Sequence, residues 1–269
     1  MSRFSIIRPV NGLMGFISTY ISAFIAVGSR IADHIVAVTI AAIAVFLVTS
    51  GGNIINDIVD VEVDRINHPR RPLVTGELSK KTAQAMFITF FAVAIVISVF
   101  ISIIAMLIVI LAEVLLVSYE YALKKTGLPG NAVISLLIGL IFIFGGVSVF
   151  SYGKMVFLFL LAFTSNMSRE IIKDVEDVNG DSDRITFPKK YGVRNAIILS
   201  DAIIGLLVVI SYIPFAMHIL SRFYLYVVVV ADALFIVSGA ISSRNPTSGQ
   251  KVSKYAMIVG MASFLAGAL

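Results

Sequence analysis

Nine long apolar stretches constrain this chain more than any other feature of its sequence. A helix needs roughly 20 apolar residues to cross the hydrocarbon core of a bilayer, and each stretch has about this length. With 58% hydrophobic and 14% charged residues, the chain differs from soluble domains, which are about half apolar and a quarter charged. We therefore predict one membrane-embedded domain over residues 1–269, an all-α transmembrane bundle of about nine helices. The predicted spans are 9–29, 32–56, 83–102, 104–123, 130–150, 154–175, 195–216, 219–242 and 252–269.

The apolar run 83–119 must be divided into two helices, although its sequence contains no strong turn signal. It is too long for one crossing, and two helices joined by a tight turn near Ser102 fit its length. At the other end of the sequence, the apolar stretch after Arg8 is long and no small-residue cleavage site follows it. We therefore expect no cleavable signal peptide.

The basic residues are distributed unevenly between the two sides of the predicted bundle. Arg30, Lys154 and Arg222 fall on one side, and the other 18 of the 21 fall on the side of the N-terminus. Cytoplasmic loops carry an excess of Lys and Arg, so we predict a multi-pass protein of the cell membrane with a cytoplasmic N-terminus. Two long polar segments, 65–82 and 178–194, lie on the same side. We therefore expect any soluble chemistry to take place on this side.

Ten of the 16 acidic residues lie in two short stretches, 57–64 and 170–183. On a helix, residues three and four positions apart share one face. Each stretch therefore belongs to a polar stripe that begins inside a predicted span and emerges on the basic side. The first stripe is Asn53, Asn56, Asp57, Asp60 and Asp64, and the second is Asn166, Glu170, Asp174, Asp177 and Asp181.

Aligned carboxylates repel one another, and desolvation near a bilayer adds to the cost, so a positive group should compensate them. Hard oxygen ligands suit Mg²⁺, which proteins usually share between one or two carboxylates and substrate phosphates. The absence of cysteine excludes disulfides, Cys-ligated zinc, iron–sulfur clusters and thiol nucleophiles. The stripes therefore predict a site for Mg²⁺ and a substrate that carries phosphate.

Two other interpretations of the stripes stay open. The carboxylates can be solvated helix ends that pair with neighbouring lysines and arginines. They can also belong to a cation transporter, because ionisable residues inside spans commonly mark ion pathways. Their position at helix ends facing one side favours a one-sided enzyme over a transporter, whose binding site would lie near the midplane.

Both stripes carry motifs that resemble the UbiA superfamily of intramembrane prenyltransferases. Residues 56–64 read NDIVDVEVD and residues 67–72 read NHPRRP, similar to the family's first signature, N-D-x-x-D-x-x-x-D followed by N-x-P-x-R-P. Residues 174–181 read DVEDVNGD, similar to the second signature, and KKYG follows at 189–192. Tyr121 and Lys125 resemble the family's Y-x-x-x-K element. The resemblance covers nearly the whole chain.

The resemblance implies a bundle around a central cavity, in which the two motifs hold Mg²⁺ and a prenyl diphosphate. It also implies that the polar segments 65–82 and 178–194 are cytoplasmic cap loops above this cavity. The neighbouring Lys124 could also reach a phosphate, although only Lys125 has the family's spacing from Tyr121. The implied catalytic and metal-binding residues are Asp57, Asp60, Asp64, Asp174, Asp177 and Asp181. The expected substrate-binding residues are Asn11, Asn53, Asn56, Arg70, Lys80, Tyr121, Lys124, Lys125, Arg169 and Lys189.

Within the family, the chain most resembles archaeal members that alkylate geranylgeranylglyceryl phosphate, particularly in its opening RPVNGLM at 8–14. The implied partners are geranylgeranyl diphosphate, this acceptor and the lipid bilayer, with no nucleic acid and no obligatory protein partner. An aromatic prenyltransferase acting on 4-hydroxybenzoate or another quinone precursor is the alternative.

The chemistry also predicts how the motifs and loops are arranged. Because both motifs must grip one diphosphate, we expect the second and sixth helices to be adjacent, with their stripes facing each other across one cavity. We expect the cap loops to act as a lid that closes over the diphosphate and excludes water. Arg70 and Lys189 are the residues expected to make the closing contacts.

Overall fold

The computed structural model describes residues 3–179 and 185–268. Its described residues form helices and connecting turns without any strand, which confirms the predicted all-α class. Within this part of the chain, nine helices have 19 residues or more. They are α1 (Pro9–Val27), α2 (Ile35–Val59), α3 (Lys80–Val99), α4 (Ile103–Tyr121), α5 (Leu128–Ser148), α6 (Met155–Glu176), α7 (Val193–Ser211), α8 (Arg222–Ser242) and α9 (Pro246–Ala268).

Seven segments are long and apolar enough to cross a membrane, and one of them, Pro9–Val59, contains both α1 and α2. The 3₁₀ turn Gly28–His34 joins these two helices. Helix α9 has sufficient length but is not among the seven, since Gln250, Lys251 and Lys254 lie in its first turns. The chain is therefore a multi-pass membrane protein. Its ninth long helix, α9, carries polar and charged residues near its N-terminal end.

The predicted division near Ser102 is confirmed. Helix α3 ends at Val99 and α4 begins at Ile103. The Ser102 hydroxyl accepts a hydrogen bond from the backbone N–H of Ala105 at 3.1 Å. A serine N-cap satisfies one of the unpaired N–H groups at a helix start, so it allows the chain to reverse direction within a few residues.

The long helices form a closed arrangement. Helix α1 packs on α2, α5 and α9; α2 also packs on α3, α4 and α5. Helix α6 packs on α5, α7 and α9, and α8 packs on α7 and α9. Among the described residues, α2 and α6 share no extended packing interface, because α5 lies between them. The expected adjacency of the second and sixth helices is therefore wrong.

Small residues bring α1 and α5 close together. A Cβ atom on Gly145 would lie 2.7 Å from the carbonyl oxygen of Thr19 and 2.6 Å from the Cβ of Ser22. The Ser22 hydroxyl donates a hydrogen bond to the carbonyl oxygen of Phe142 at 2.5 Å. Close backbone approach and interhelical hydrogen bonds are the main means of helix association in lipid. They hold α1 against α5 at the wall of the central cavity.

Candidate active site

The bundle encloses a cavity of about 1170 Å³ to which eight of the nine long helices, all but α3, contribute described residues. Typical ligand pockets measure roughly 300–1,000 Å³. The wall is charged where α2, α4 and α6 end and where α1 and α9 begin. Further along the helices it is mainly apolar, with side chains such as Val45, Ala112, Leu161 and Phe235. Such a cavity suits molecules that have a charged head and a long apolar tail.

One group of polar side chains, the first cluster, lies where α1 begins and where α2 and α4 end. Each of its four carboxylates contacts at least one cation. The carboxylates come from α2, from the short helix Val61–Asn67 that follows it, and from α4. The members of the first cluster are Arg8, Asn56, Asp57, Asp60, Asp64, Arg71, Glu120 and Lys124.

Asp57 is the most deeply buried carboxylate of the first cluster, with 3% of its surface exposed. Its Oδ1 lies 2.6 Å from Nη2 of Arg8 and 3.1 Å from Nη1 of Arg71, and Arg71 also pairs with Asp64. A buried carboxylate requires such opposite charge and hydrogen bonding. Arg8 has a left-handed backbone (φ 46°), which is uncommon outside glycine and indicates that its surroundings hold it in place.

Asn56 connects the helices that contribute to the first cluster. Its Oδ1 accepts a hydrogen bond from Arg8 Nη2 at 3.1 Å. Its Nδ2 lies 3.2 Å from Asp60 Oδ2 and 3.1 Å from Glu120 Oε2. Lys124 Nζ donates to the same two carboxylates, at 2.6 Å and 2.8 Å. The start of α1 and the ends of α2 and α4 are therefore linked by one polar network.

A second group, the second cluster, lies on the opposite side of the charged end. Two cations of α6 share one carboxylate: Glu170 is 3.0 Å from Arg169 Nη1 and 3.4 Å from Lys173 Nζ. Helices α5 and α9 contribute amides and a further lysine. The members of the second cluster are Asn131, Arg169, Glu170, Lys173, Asp174, Glu176, Asp177, Gln250 and Lys254.

Neutral amides position two carboxylates of the second cluster. Asn131 Nδ2 donates to Asp174 Oδ2 at 2.7 Å, and this contact joins α5 to α6. Gln250 Nε2 donates to Glu176 Oε2 at 2.9 Å, which joins α9 to the end of α6. Hydrogen bonds to a carboxylate orient it without a counter-charge. The second cluster is therefore held partly by amides that join α6 to α5 and to α9.

The structure divides the six predicted metal-binding aspartates by their position. Asp60, Asp64 and Asp177 line the cavity, Asp57 and Asp174 are buried beside it, and Asp181 lies outside the described residues. The two stripes therefore do reach one cavity from different sides.

The predicted substrate-binding residues also fall into two sets. Lys124 rather than Lys125 faces the cavity, because Lys124 bonds to Asp60 and Glu120 whereas Lys125 is exposed. The predicted residues that line the cavity are Asn11, Asn53, Asn56, Lys124 and Arg169. Those that are exposed and lie outside the described lining are Arg70, Lys80, Tyr121, Lys125 and Lys189.

Seven charged residues of the cavity wall were not predicted as site residues: Arg8, Arg71, Glu120, Glu170, Lys173, Asp232 and Lys254. Glu120 and Lys124 are four positions apart at a helix end, which is a local signal that could have been used. Lys173 follows Arg169 by four positions on the second stripe's helix and offers a similar signal. No local pattern distinguishes Arg8 or Lys254 from other basic residues at span ends.

Both predicted cap loops contain short helices, Pro72–Thr75 in the first and Phe187–Tyr191 in the second, while residues 180–184 lie outside the described part of the chain. The backbone N–H of Ile185 donates to the carbonyl oxygen of Lys125 at 3.1 Å. Gly127 has φ +72°, and a Cβ there would lie 2.9 Å from the carbonyl oxygen of Ile185. Glycine therefore allows the second cap loop to contact the α4–α5 turn.

Aromatic side chains line the cavity far from the charged clusters, where α7 ends and α8 begins. The ring centroid of Phe264 lies 5.9 Å from that of Phe142 and 6.1 Å from that of Tyr224. The Tyr224 hydroxyl donates to the carbonyl oxygen of Ser211 at 2.6 Å, and the Ser211 hydroxyl lies 2.8 Å from Asp232 Oδ2. This end of the cavity is closed by rings whose polar groups are satisfied.

A transmembrane bundle with a large cavity, charged at one end and apolar beyond it, is the arrangement expected of an enzyme that acts on lipids with charged head groups. The family model described as the UbiA prenyltransferase family matches residues 15–264, which is most of the chain. The chain therefore belongs to the UbiA family and is an intramembrane prenyltransferase. This membership does not favour the cation-transporter interpretation.

Named relatives match the chain over nearly its full length. The digeranylgeranylglyceryl phosphate synthase of Methanosphaera stadtmanae is 35% identical, and the match covers 98% of each chain. The synthase of the same name from Methanopyrus kandleri is 34% identical and covers 97% of each chain.

Solved structures share the fold. A structure of digeranylgeranylglyceryl phosphate synthase has a TM-score of 0.84 and 33% sequence identity, covering 100% of this chain and 99% of the other. A UbiA homolog from Archaeoglobus fulgidus bound to DMAPP and Mg²⁺ has a TM-score of 0.68 and 19% identity, covering 98% of this chain and 99% of the other. At 19% identity, the match to the Archaeoglobus fulgidus structure shows that the two proteins share a fold.

Proposed function

We propose that the protein transfers a geranylgeranyl group from geranylgeranyl diphosphate to the free glycerol hydroxyl of geranylgeranylglyceryl phosphate. The observation that carries the proposal is a single cavity in which carboxylates of both motifs, Asp60 and Asp177, lie above a long apolar wall. The named relatives, which span nearly the whole chain, support this lipid acceptor. They do not favour an aromatic acceptor such as 4-hydroxybenzoate.

The chemistry of the donor set fits Mg²⁺ together with a diphosphate. Carboxylate and amide oxygens line the charged end on both sides, from Asn53, Asn56, Asp60 and Asp177 among others. Among the described residues, no three acidic or histidine side chains are already grouped as a metal site. Proteins rarely build an all-protein cage for Mg²⁺ and usually share it with substrate phosphates. We therefore propose that the aspartates hold Mg²⁺ when the diphosphate is present.

The reaction breaks the C1–O bond of the donor, and its electron pair leaves with the diphosphate. The acceptor oxygen forms a new C–O ether bond and releases its hydroxyl proton. When bound, Mg²⁺ supplies Lewis-acid stabilisation of the leaving diphosphate. Lys124 and Arg71 lie among the carboxylates of the first cluster, so these cations are placed to neutralise phosphate oxygens as charge develops.

The apolar part of the cavity provides room for isoprenoid tails. Side chains of two separate hydrophobic clusters line it. Val45, Val48 and Phe144 belong to one cluster, whereas Leu161 and Phe264 belong to the other. Burial of apolar surface favours binding by about 25 cal/mol per Å². Two walls of this kind suit a reaction that joins two long-chain substrates.

We also propose that the charged end of the cavity faces the cytoplasm, with the cap loops 65–82 and 178–194 above it. The excess of basic residues on this side supports the orientation. Closing the loops over the diphosphate would exclude water from an allylic cation. Arg70 and Lys189 are exposed in this structure, so their closing contacts require a movement of the loops.

The test is an assay of the purified protein in lipid nanodiscs with labelled geranylgeranyl diphosphate. The expected product is a digeranylgeranyl lipid ether that forms with geranylgeranylglyceryl phosphate and Mg²⁺ and is absent in EDTA. Parallel reactions contain 4-hydroxybenzoate or no acceptor. A prenylated aromatic product, with none from the glycerol lipid, would reject the proposed acceptor.

A further inference from the structure

Lys254 is a cation on the cavity wall and lies outside both Asp motifs. It lies on α9 and lines the cavity, and no hydrogen bond or ion pair joins it to the described residues. Eight positions separate it from the start of α9, which corresponds to about 12 Å along the helix. The side chain of Lys254 is exposed on the cavity wall, so an anionic ligand in the cavity can reach it.

The register between α9 and α6 determines which charges surround Lys254. Gln250 bonds to Glu176 at the end of α6, and Lys254 lies one helical turn deeper on α9. The charged groups that act on Lys254 are Arg169, Glu176, Lys173 and Glu170. Three cations of two antiparallel helices therefore meet at one level of the wall.

The balance of donors and acceptors at this level favours an anion. Arg169 and Lys173 both pair with Glu170, so one carboxylate serves two cations, and Glu176 accepts from Gln250. The Nε–H of Arg169 is buried and has no hydrogen-bond partner among the described residues. A buried donor without an acceptor costs about 1–3 kcal/mol, and a ligand oxygen would remove this cost.

The surface below Lys254 is suited to an apolar tail. Met257, Met261 and Phe264 follow it at helical spacing on the same face of α9, and all three line the cavity. The face therefore combines a cationic head site with an apolar stripe that runs toward the aromatic end of the cavity. This is the pattern required by a lipid whose head group is a phosphate.

We propose that Lys254, together with Arg169 and Lys173, binds the phosphate of the acceptor lipid. The proposal rests on the proposed function. A phosphate monoester carries about −1.5 to −2 charges at neutral pH and has three strongly accepting oxygens, so one phosphate can accept hydrogen bonds from all three cations. The cavity-lining cations of the first cluster, by contrast, contact the carboxylates of the first motif directly. They are Arg8, Arg71 and Lys124.

This assignment separates the two anions of the reaction. The diphosphate of the donor lies between Asp60 and Asp177, which follows the end of α6, and the phosphate of the acceptor lies further along the wall at Arg169 and Lys254. The free hydroxyl belongs to the same short glycerol unit as the phosphate and is then directed from that wall toward C1 of the donor. Lys254 is accordingly a substrate-positioning residue and takes no part in bond breaking.

Steady-state kinetics of Lys254→Gln test the assignment, with Lys254→Arg as the conservative variant. Lys251→Gln is the matched control, because Lys251 is exposed on the same helix and outside the cavity lining. A charge-assisted hydrogen bond contributes enough free energy to change affinity about tenfold to hundredfold. Lys254→Gln should raise KM for geranylgeranylglyceryl phosphate by this factor and leave KM for geranylgeranyl diphosphate unchanged. Lys254→Arg should restore most of the affinity, and Lys251→Gln should behave as wild type.

A second substrate distinguishes a phosphate contact from a general loss of structure. Geranylgeranylglycerol lacks the phosphate, so the penalty of Lys254→Gln should disappear when this alcohol is the acceptor. A penalty of equal size with both acceptors would overturn the proposal, as would an increase in KM for the donor alone. If wild-type protein forms no ether with either acceptor, the proposed function itself fails, and the effect of Lys254 is then irrelevant.

Discussion

The first and second clusters contain the same numbers of charges but are held together differently. Each has four carboxylates and three cations. In the first cluster every carboxylate contacts a cation, through Arg8, Arg71 or Lys124. In the second, Arg169 and Lys173 both pair with Glu170, and amides of Asn131 and Gln250 bond to Asp174 and Glu176.

This difference has consequences for substrate binding. If the carboxylates of the first cluster hold Mg²⁺, as we propose, the metal shares them with the cations that already contact them. In the second cluster, amides bond to Asp174 and Glu176 and help to orient these carboxylates without adding charge.

The largest expected effect concerns the carboxylates that both clusters present to the cavity. Asp60→Asn or Asp177→Asn should lower kcat/KM by about 10³-fold, because each removes several kcal/mol of transition-state stabilisation that involves the metal. The measurement is product formation at saturating Mg²⁺. Glu62→Gln is the control, since Glu62 is exposed and pairs with Arg65 away from the cavity. Activity in EDTA, or near-wild-type turnover of either variant, would contradict the shared role of the clusters.

The second prediction compares two buried aspartates, Asp57 of the first cluster and Asp174 of the second. Asp57→Asn leaves Arg8 and Arg71 without their common carboxylate and should reduce stability by about 3–5 kcal/mol. Asp174→Asn leaves an amide facing Asn131, which can still form a hydrogen bond, and should cost about 1 kcal/mol. Thermal unfolding in lipid nanodiscs without Mg²⁺ measures both. Equal losses of stability would mean that ion pairs and amides contribute equally to the two clusters.

A smaller effect should separate two adjacent lysines. Lys124→Met removes the cation that bonds to Asp60 and Glu120, and we expect kcat/KM to fall about tenfold to hundredfold. Lys125→Met removes an exposed charge, which typically contributes below about 1 kcal/mol. The same assay serves for both variants. A larger loss for Lys125→Met would assign the phosphate contact to the exposed lysine. Lys124 would then not be the residue of the first cluster that contacts phosphate.

The smallest expected change is in the cap loops. Binding of Mg²⁺ and a non-hydrolysable geranylgeranyl diphosphate analogue should slow amide hydrogen exchange in 65–82 and 178–194, because closure orders both loops. The turn 28–34, at the opposite end of the helices, provides an internal reference. Unchanged exchange in both loops would leave their basic residues only a role in topology and lipid anchoring. Slower exchange in one loop alone would show which cluster closes first.

The sequence by itself determined the number and approximate position of the long helices. Hydropathy and helix period are local properties, so a run of about 20 apolar residues is recognised without knowledge of its neighbours. The turn at Ser102 follows from the same argument, because one span cannot contain the run 83–119. Helix period also predicted which polar residues share a face with Asp60 and with Asp177.

Only the tertiary structure decided which of those residues meet the cavity. A period of 3.6 places Asp57 and Asp60 on one broad face, yet Asp57 is buried against Arg8 while Asp60 lines the cavity. The expected contact between α2 and α6 was wrong because α5 separates them. Arg8 and Asp57 are 49 positions apart, and Lys254 meets Arg169 only because α9 packs antiparallel to α6. Such contacts depend on how helices pack, which local patterns do not specify.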